Sequence, residues 1–147
     1  MKILLILLFA FPYTSQALDI EFYGPCSSRP IIEGKIQNQN KSLGAMTIDF
    51  LTKRQIAFQG NEQGLNSVLN SPIGEAAMEI ISATEMKAYG WCYFVAGKAP
   101  EVLPSEFPAK NVKQVKWIYS YAHYQNGEWI NQCQVAYLAP PPYLCGE

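Results

Sequence analysis

Alternating and aromatic-rich segments of the chain predict β-strands. Residues 18–23 (LDIEFY) alternate apolar and acidic side chains, which is typical of a half-buried strand, and residues 31–36 can form a second strand after Gly24-Pro25 ends the first. Residues 65–69 favour another strand, and residues 91–95 (WCYFV) are dense in aromatic side chains, which suit a pleated sheet. The chain is therefore expected to build most of its structure from strands.

The strongest strand signal lies in residues 115–124 (VKWIYSYAHY), and Asn126-Gly127 shortly after it favours a type I′ hairpin turn. Residues 128–137 would then return beside it as the second strand of the hairpin. A two-residue turn fixes the register of such a pair. The predicted cross-strand partners are Tyr124 with Trp129 and Ser120 with Cys133.

One helix is predicted among these strands. Residues 45–56 (AMTIDFLTKRQI) carry apolar side chains at a loose helical spacing, with Asp49 early and Lys53-Arg54 late, which suits the helix dipole. Residues 74–88 are ambiguous, because Ala, Glu and Met favour a helix while residues 78–81 can equally form an edge strand. This order predicts an α+β domain with one short helix over a mostly antiparallel sheet and a C-terminal β-hairpin extension. A β-grasp arrangement fits it.

The first residues predict an export signal. Lys2 precedes the apolar run 3–11, Pro12 ends that run, and Ser15-Gln16-Ala17 offers small residues at the positions that a signal peptidase reads. The run is shorter than the ~20 residues that a membrane-spanning helix needs. Residues 1–17 are thus predicted to be a signal peptide. The rest, 18–147, is predicted to be a single secreted or periplasmic domain without a membrane span.

The cysteines of the mature chain form an even set, which predicts two disulfides in an exported protein. They are Cys26, Cys92, Cys133 and Cys145. Three pairings are possible and the sequence leaves them open, although Cys133 with Cys145 closes the shortest loop. The spacing contains no C-x-x-C pair, which argues against a zinc site and a redox motif, so no metal is expected. Cys145 is expected to pin down the Pro-rich tail 138–147.

Charge argues against two classes of partner. The chain has 11 basic and 12 acidic residues, and removal of Lys2 with the signal peptide leaves a net charge near −2. The chain has no basic cluster, which argues against nucleic acid and anionic membranes as partners. Its length suits one domain, which would bury roughly two thirds of the surface of the unfolded chain.

Two aromatic segments resemble parts of the transcobalamin-like C-terminal domain family. Residues 90–97 (GWCYFVAG) are similar to the family's G-W-x-Y-x-V-x-G hairpin, and residues 117–119 (WIY) to its later W-x-Y strand. The resemblance covers roughly residues 19–124, with Ala96 in place of the usual Asn and an apparent insertion at 73–89. It implies a β-grasp-like module of exported proteins. It also implies cobalamin or another tetrapyrrole as a ligand held together with a partner lobe; otherwise no cofactor is expected.

The aromatic strands carry large side chains on both of their faces, whereas a sheet with one wet face alternates apolar with polar residues. Such strands are covered on both sides or present an aromatic surface to a partner. In the first interpretation, the helix covers one face and the Pro-rich tail the other. In the second, an exposed aromatic stripe binds a protein, a glycan or a small flat ligand. The candidate ligand-binding residues are Trp91, Tyr93, Trp117, Tyr119, Tyr121 and His123.

No catalytic motif accompanies these strands. The chain lacks G-x-S-x-G, H-E-x-x-H and P-loop sequences, and Ser120 and His123 would face opposite sides of one strand. The leading hypothesis is therefore a non-enzymatic, exported and disulfide-stabilised binding or interaction module, with no catalytic residues. The alternatives are a lobe that binds cobalamin or a tetrapyrrole with a partner, and a cell-envelope hydrolase that uses His123 with a carboxylate.

Overall fold

The computed structural model describes residues 16–146, so the predicted signal peptide lies outside the described residues except for its last two positions. The elements in chain order are β1 (Ala17–Tyr23), β2 (Ile32–Gln37), α1 (Leu43–Lys53), β3 (Phe58–Asn61), β4 (Gly64–Val68), β5 (Met78–Ser82), β6 (Glu85–Phe94), β7 (Gln114–Gln125), β8 (Glu128–Val135) and α2 (Pro142–Cys145). Short 3-10 turns lie at Gly74–Ala77 and Ala136–Leu138. No helix within residues 16–146 is both long and apolar enough to cross a membrane.

Strands predominate, and α1 is the one long helix of the described residues, so the α+β class fits the architecture. The ambiguous segment 74–88 contains a 3-10 turn, all of β5 and the beginning of β6, and no α-helix. The strand predicted at 91–95 corresponds to the end of β6. β6 begins six residues earlier, at Glu85, within the ambiguous segment. The tail is less extended than its prolines suggest, since Pro142 occupies the first turn of α2, where a missing N–H has no cost.

The main sheet is mixed and contains six strands. Its order is β2-β1-β7-β6-β5, with β8 paired to β7 off this path, while β3 and β4 form a separate hairpin. β1 runs parallel to the first half of β7, and the other described pairs are antiparallel. Because β6 occupies one side of β7, β1 and β8 lie end to end along its other side. β7 is therefore the central strand.

The predicted register of the β7–β8 hairpin is confirmed at its turn and wrong further along. Tyr124 pairs with Trp129, and both residues of the Asn126-Gly127 turn have a positive φ, as a type I′ turn requires. Ser120 pairs with Val135 instead of Cys133, because the register shifts on either side of His123. Each shift adds a residue to β8 without a residue in β7, which bends the strand.

Helix α1 follows from its cap and its apolar spacing. Ser42 is the N-cap, and its Oγ accepts a hydrogen bond from the backbone N–H of Ala45 at 3.1 Å. The buried residues recur every three or four positions, which places them on one side of the helix. They are Leu43, Gly44, Met46, Thr47, Phe50 and Leu51. A Cβ at Gly44 would overlap the backbone carbonyl of Glu62, so only glycine permits this close approach.

One face of the sheet, here called the inner face, carries the core and is covered by α1. The Trp117 indole N–H donates to Thr47 Oγ1 at 3.0 Å, and the rings of Phe22 and Phe50 lie 6.3 Å apart. Phe22 also contacts Trp91 in an edge-to-face arrangement at 5.9 Å. The opposite face of the sheet is called the outer face below.

The two predicted disulfides are present, but the pairing with the shortest loop is wrong. Cys26 bonds to Cys145 and Cys92 bonds to Cys133. Cys92 and Cys133 belong to strands on opposite sides of β7, which in a flat sheet lie about 10 Å apart. Their Cα atoms are only 5.8 Å apart, so β8 bends over the sheet towards β6. Loop length did not reveal this pairing, because the bend depends on the tertiary structure.

The tail lies on the same face as α1. The Tyr143 ring is 6.1 Å from that of Tyr89, which is on the inner face, and Leu144 packs against the core. Cys145 holds this segment to the loop after β1 through Cys26, as expected for a pinned tail. The interpretation that placed the tail over the face opposite the helix is therefore wrong.

Candidate functional site

Four of the six predicted ligand-binding residues belong to the core of the inner face. Trp91, Tyr93, Trp117 and Tyr119 are each at most 9% exposed. Burial, with a smaller contribution from Tyr143, raises the pKa of Tyr119 to about 12. As placed, these four side chains stabilise the fold, and their role in binding stays a prediction that requires the core to open.

The other two predicted residues, Tyr121 and His123, are half-buried on the inner face near the end of β7. His123 Nε2 lies 2.8 Å from Glu85 Oε1, within hydrogen-bond distance. The Lys87 ammonium lies over the Tyr121 ring, 4.9 Å from its centroid. Both predicted residues therefore contact charged neighbours from β6.

Glu79 of β5 completes this polar cluster. Its carboxylate accepts a hydrogen bond from the Tyr89 hydroxyl at 2.7 Å and lies 3.8 Å from the Lys87 ammonium. Burial and the hydrogen bond to Glu79 raise the pKa of Tyr89 well above its ordinary value. The charged groups of this cluster thus have partners within the cluster itself.

The contact between His123 and Glu85 supplies the acid that a catalytic histidine needs, but Ser120 is not placed as its nucleophile. The Ser120 hydroxyl is buried on the outer face and donates to the Ile118 carbonyl at 2.9 Å. His123 projects from the inner face. No group of three His, Cys, Asp or Glu side chains in residues 16–146 could hold a metal ion.

The outer face is charged at its β1–β2 end. Lys35 of β2 lies 3.1 Å from Asp19 of β1, and Lys116 of β7 lies 3.8 Å from Glu21. Lys116 also lies over the Tyr23 ring, at 5.4 Å from its centroid. This end has the solvated character that is normal for an open sheet face.

The other end of the outer face is apolar. Directly opposed residues of four adjacent strands form a row there, since Ile80 pairs with Met86, Met86 with Tyr124 and Tyr124 with Trp129. Paired residues project from the same face, so all four side chains lie side by side. The set Ile80, Met86, Tyr124 and Trp129 is called the apolar row below.

The apolar row is accessible to solvent. Ile80 is 68% exposed and Trp129 is 48% exposed, while Met86 and Tyr124 are half-buried. The Tyr124 and Trp129 rings form an edge-to-face pair with centroids 5.3 Å apart. An aromatic pair and two aliphatic side chains thus form one continuous surface.

A second row continues this surface towards the middle of the sheet. Met78 pairs with Ala88, and Ala88 with Ala122, and all three are half-buried. Beyond it lies a shallow groove of about 230 Å³, lined by Ala88 and Ala122 among others and bounded by Gln132 and Cys133. A run of neighbouring apolar side chains on a sheet face that is open to solvent makes this end a candidate interaction site.

The sequence contained only part of the signal for this site. Ala122 and Tyr124 share a strand face by simple alternation, and Trp129 follows from the hairpin turn. Ile80 and Met86 lie in the ambiguous segment 74–88, where helix and strand propensities compete. The row appears only when the pairing of four strands is known.

Comparison of the chain with models of known protein families, with curated proteins and with solved structures gave no match.

Proposed function

We propose that this chain is an exported, disulfide-stabilised binding module, without enzymatic activity, that docks a partner protein on the apolar end of its outer face. The observation that carries the proposal is the apolar row, an exposed cross-strand surface on a sheet whose opposite face is already filled by its core. Two disulfides fit an oxidising compartment and the proposed export.

The shape and chemistry of the surface favour a protein over a smaller ligand. Four strands at ordinary spacing make a row about 14 Å long, which is wide and shallow, whereas small molecules bind in concave pockets. A glycan needs hydrogen-bonding groups beside its aromatic platform, and Ile80, Met86, Met78 and Ala88 supply none from their side chains. A second protein can cover such a surface with apolar side chains of its own.

The fold is proposed to be β-grasp-like, in agreement with the resemblance to the transcobalamin-like C-terminal domain family. What supports this is the order of a β1–β2 hairpin, a helix across the sheet and a central β7 parallel to β1. Cobalamin capture with a partner lobe goes with this proposal as an alternative function. A spectral shift or a higher melting temperature on adding cobalamin would support that alternative.

Site-specific photo-crosslinking in the producing cell tests protein docking. Trp129→p-benzoylphenylalanine places the cross-linker in the apolar row, and Ile31→p-benzoylphenylalanine places it on an isoleucine that is 48% exposed near β2. We expect a discrete adduct from position 129 only, and its loss when Met86→Lys is added. Absence of an adduct, or equal adducts from both positions, would refute the proposal.

A cell-envelope hydrolase is the second candidate, and the contact between His123 and Glu85 favours it. The candidate requires a nucleophile that reaches His123 on the inner face, which Ser120 does not. Under the binding proposal, His123→Asn leaves the cross-linked adduct of position 129 intact. Loss of a hydrolytic activity in His123→Asn and Glu85→Gln, with the fold intact, would establish the second candidate instead.

A further inference from the structure

The edges of the main sheet differ in how they resist pairing with another strand. β2 carries the exposed charges Glu33 and Lys35, and β8 bends through two register shifts, which are both devices that protect an edge. β5 has no proline or lysine, and its one charged residue, Glu79, contacts Lys87 and Tyr89. The one register shift of β5 lies near its C-terminal end, between Ile80 and Ser82, and leaves residues 78–80 regularly paired. Within residues 16–146, β5 is thus the edge left open to pairing.

The exposure of β5 agrees with an open edge. The side chain of Ile80 is 68% exposed, and that of the next residue, Ile81, is also exposed. Alternate residues of an edge strand turn their backbone N–H and C=O groups outwards, where they can pair with another strand. A strand added there gains backbone hydrogen bonds and contacts on both faces of the sheet.

The two faces next to this edge differ in chemistry. On the outer face Ile80 begins the apolar row, so a neighbouring strand would place an apolar side chain there. On the inner face the edge has an excess of carboxylates, because Glu79 and Glu85 share a single lysine, Lys87, and the exposed Glu75 lies just before β5 in the chain. An added strand that suits both faces alternates apolar residues with basic residues.

We propose that β5 binds an extended segment of the partner protein in which apolar and basic residues alternate. This inference rests on the proposed function and names the segment by which the partner is recognised. The segment adds a strand to the main sheet, with its apolar side chains continuing the apolar row and its basic side chains near Glu79 and Glu85.

A second copy of this chain suits the edge less well. If β5 paired antiparallel with its own copy around Ile80, Glu79 would lie opposite Ile81 of the second copy. The two acidic segments 74–88 would then meet across the interface, and like charges at an interface oppose association. A basic segment neutralises the same charges.

Binding of a synthetic strand tests the inference on the full oxidised mature chain. The probe is a fluorescein-labelled peptide of alternating Val and Lys, blocked at both ends and long enough to pair with the five residues of β5. Fluorescence anisotropy at low salt measures its affinity. Two control peptides replace every Lys by Glu, or the central Val by Pro, which removes an N–H and disfavours a strand.

The protein variants form a matched pair. Ile80→Lys and Ile31→Lys make the same substitution at exposed isoleucines, the first in β5 and the second near β2. We expect Ile80→Lys to weaken binding of the Val-Lys peptide by about tenfold, and Ile31→Lys to leave it unchanged. Both control peptides should bind at least about tenfold more weakly than the Val-Lys peptide to the unmodified protein.

Hydrogen–deuterium exchange of the unmodified protein gives a second readout, which does not depend on the folding of any variant. We expect the peptide to protect residues 78–82 more than residues 32–37 of the opposite edge. Protection of both edges alike, or of neither, overturns the inference, as does equal binding of the Lys and Glu peptides.

Other results separate this inference from the proposed function. A dimer by sedimentation that Ile80→Lys disrupts, with no peptide binding, overturns it in favour of a second copy. An adduct from position 129 that persists without any peptide binding overturns the inference and leaves the proposed function standing. Normal peptide binding without an adduct from position 129 overturns the proposed docking surface. The proposal that β5 binds a strand then stands without it.

Discussion

The Trp117 indole shows how a single side chain is made compatible with a buried position. Its N–H donates to Thr47 Oγ1, and the Thr47 hydroxyl in turn donates to the Leu43 carbonyl at 2.8 Å. A buried N–H without an acceptor is costly, so this chain of hydrogen bonds holds β7 and α1 in one arrangement.

Thr47→Val tests that hydrogen bond with little change of shape. We expect the substitution to lower the free energy of unfolding by about 1–3 kcal/mol, because the Trp117 N–H is left buried without its acceptor. Thr52→Val, at an exposed position of the same helix, is the matched control and should have a much smaller effect. Equal urea midpoints for the two variants would contradict this role of Thr47.

Buried tyrosines predict a loss of stability in alkali. The pKa of Tyr119 is raised from 10.0 to about 12 by burial, so between these values the unfolded chain loses a proton that the folded chain keeps. Stability should therefore fall as the pH rises from 10 to 12, by about 1.4 kcal/mol per pH unit for each such tyrosine. Urea unfolding at a series of pH values measures the slope, and Tyr119→Phe should reduce it.

Pairings of residues close to a turn could be predicted from the sequence, whereas pairings and burial that depend on distant parts of the chain could not. The partners Tyr124 and Trp129 follow from a two-residue turn, because the turn fixes the nearest pair. The partner of Ser120 did not follow, because β8 accommodates two register shifts, and Cys133 adopts a positive φ that nothing in its type requires. The burial of Trp117 and Tyr119 was one of two interpretations. The position of α1 decides it for Trp117, and the tail with the segment at Pro72 decides it for Tyr119.

The tail is the element whose position depends most visibly on a disulfide. Tyr143 and Leu144 lie over the aromatic end of the inner face, and the exposed Cys26 bonds to Cys145 next to them. Cys26–Cys145 also closes the longer of the two disulfide loops, which enlarges its expected entropic effect on the unfolded chain.

Removal of that disulfide should expose the tyrosines beneath the tail. In Cys26→Ser/Cys145→Ser we expect Tyr119 to titrate closer to its ordinary pKa, because burial and proximity to Tyr143 raise it in the intact protein. Tyrosinate absorbance during an alkaline titration counts the groups that ionise near pH 10. Cys92→Ser/Cys133→Ser keeps the tail disulfide and is the control. An identical titration of both variants would contradict the role of the tail.

Most elements could be predicted because their signals are local. Alternation identified β1, and the density of strand-favouring aromatic and β-branched residues identified β7. Turn chemistry identified the hairpin, and apolar spacing with a C-terminal Lys-Arg pair identified α1 within a few residues. β5 was left ambiguous, since its Met, Glu and Ile residues suit a helix and a strand alike until β6 supplies a pairing partner. The pairing of the cysteines was equally out of reach, because it follows from the bend of β8.

At the scale of the whole molecule, one sheet serves two purposes. Its inner face holds the core under α1 and the tail, so stability does not depend on a further partner there. Its outer face is divided into a charged end around Asp19 and Lys35 and an apolar end around the apolar row. This division is why we place docking at the β5–β8 end of the outer face. Trp117 and Tyr119, which the sequence offers as binding residues, belong to the core of the inner face.

Carbene footprinting of the purified oxidised chain, alone and with the Val-Lys peptide, tests this central claim most directly. We expect Ile80 and Trp129 to be labelled strongly in the free protein. Ile80, which lies beside the bound strand, should lose label when the peptide is present, while Trp129, three strands away, and Ile31 on the opposite side of the sheet keep theirs. Weak labelling of the apolar row in the free protein, or a loss of label at Ile31 as large as at Ile80, would contradict an open docking surface at this end of the sheet.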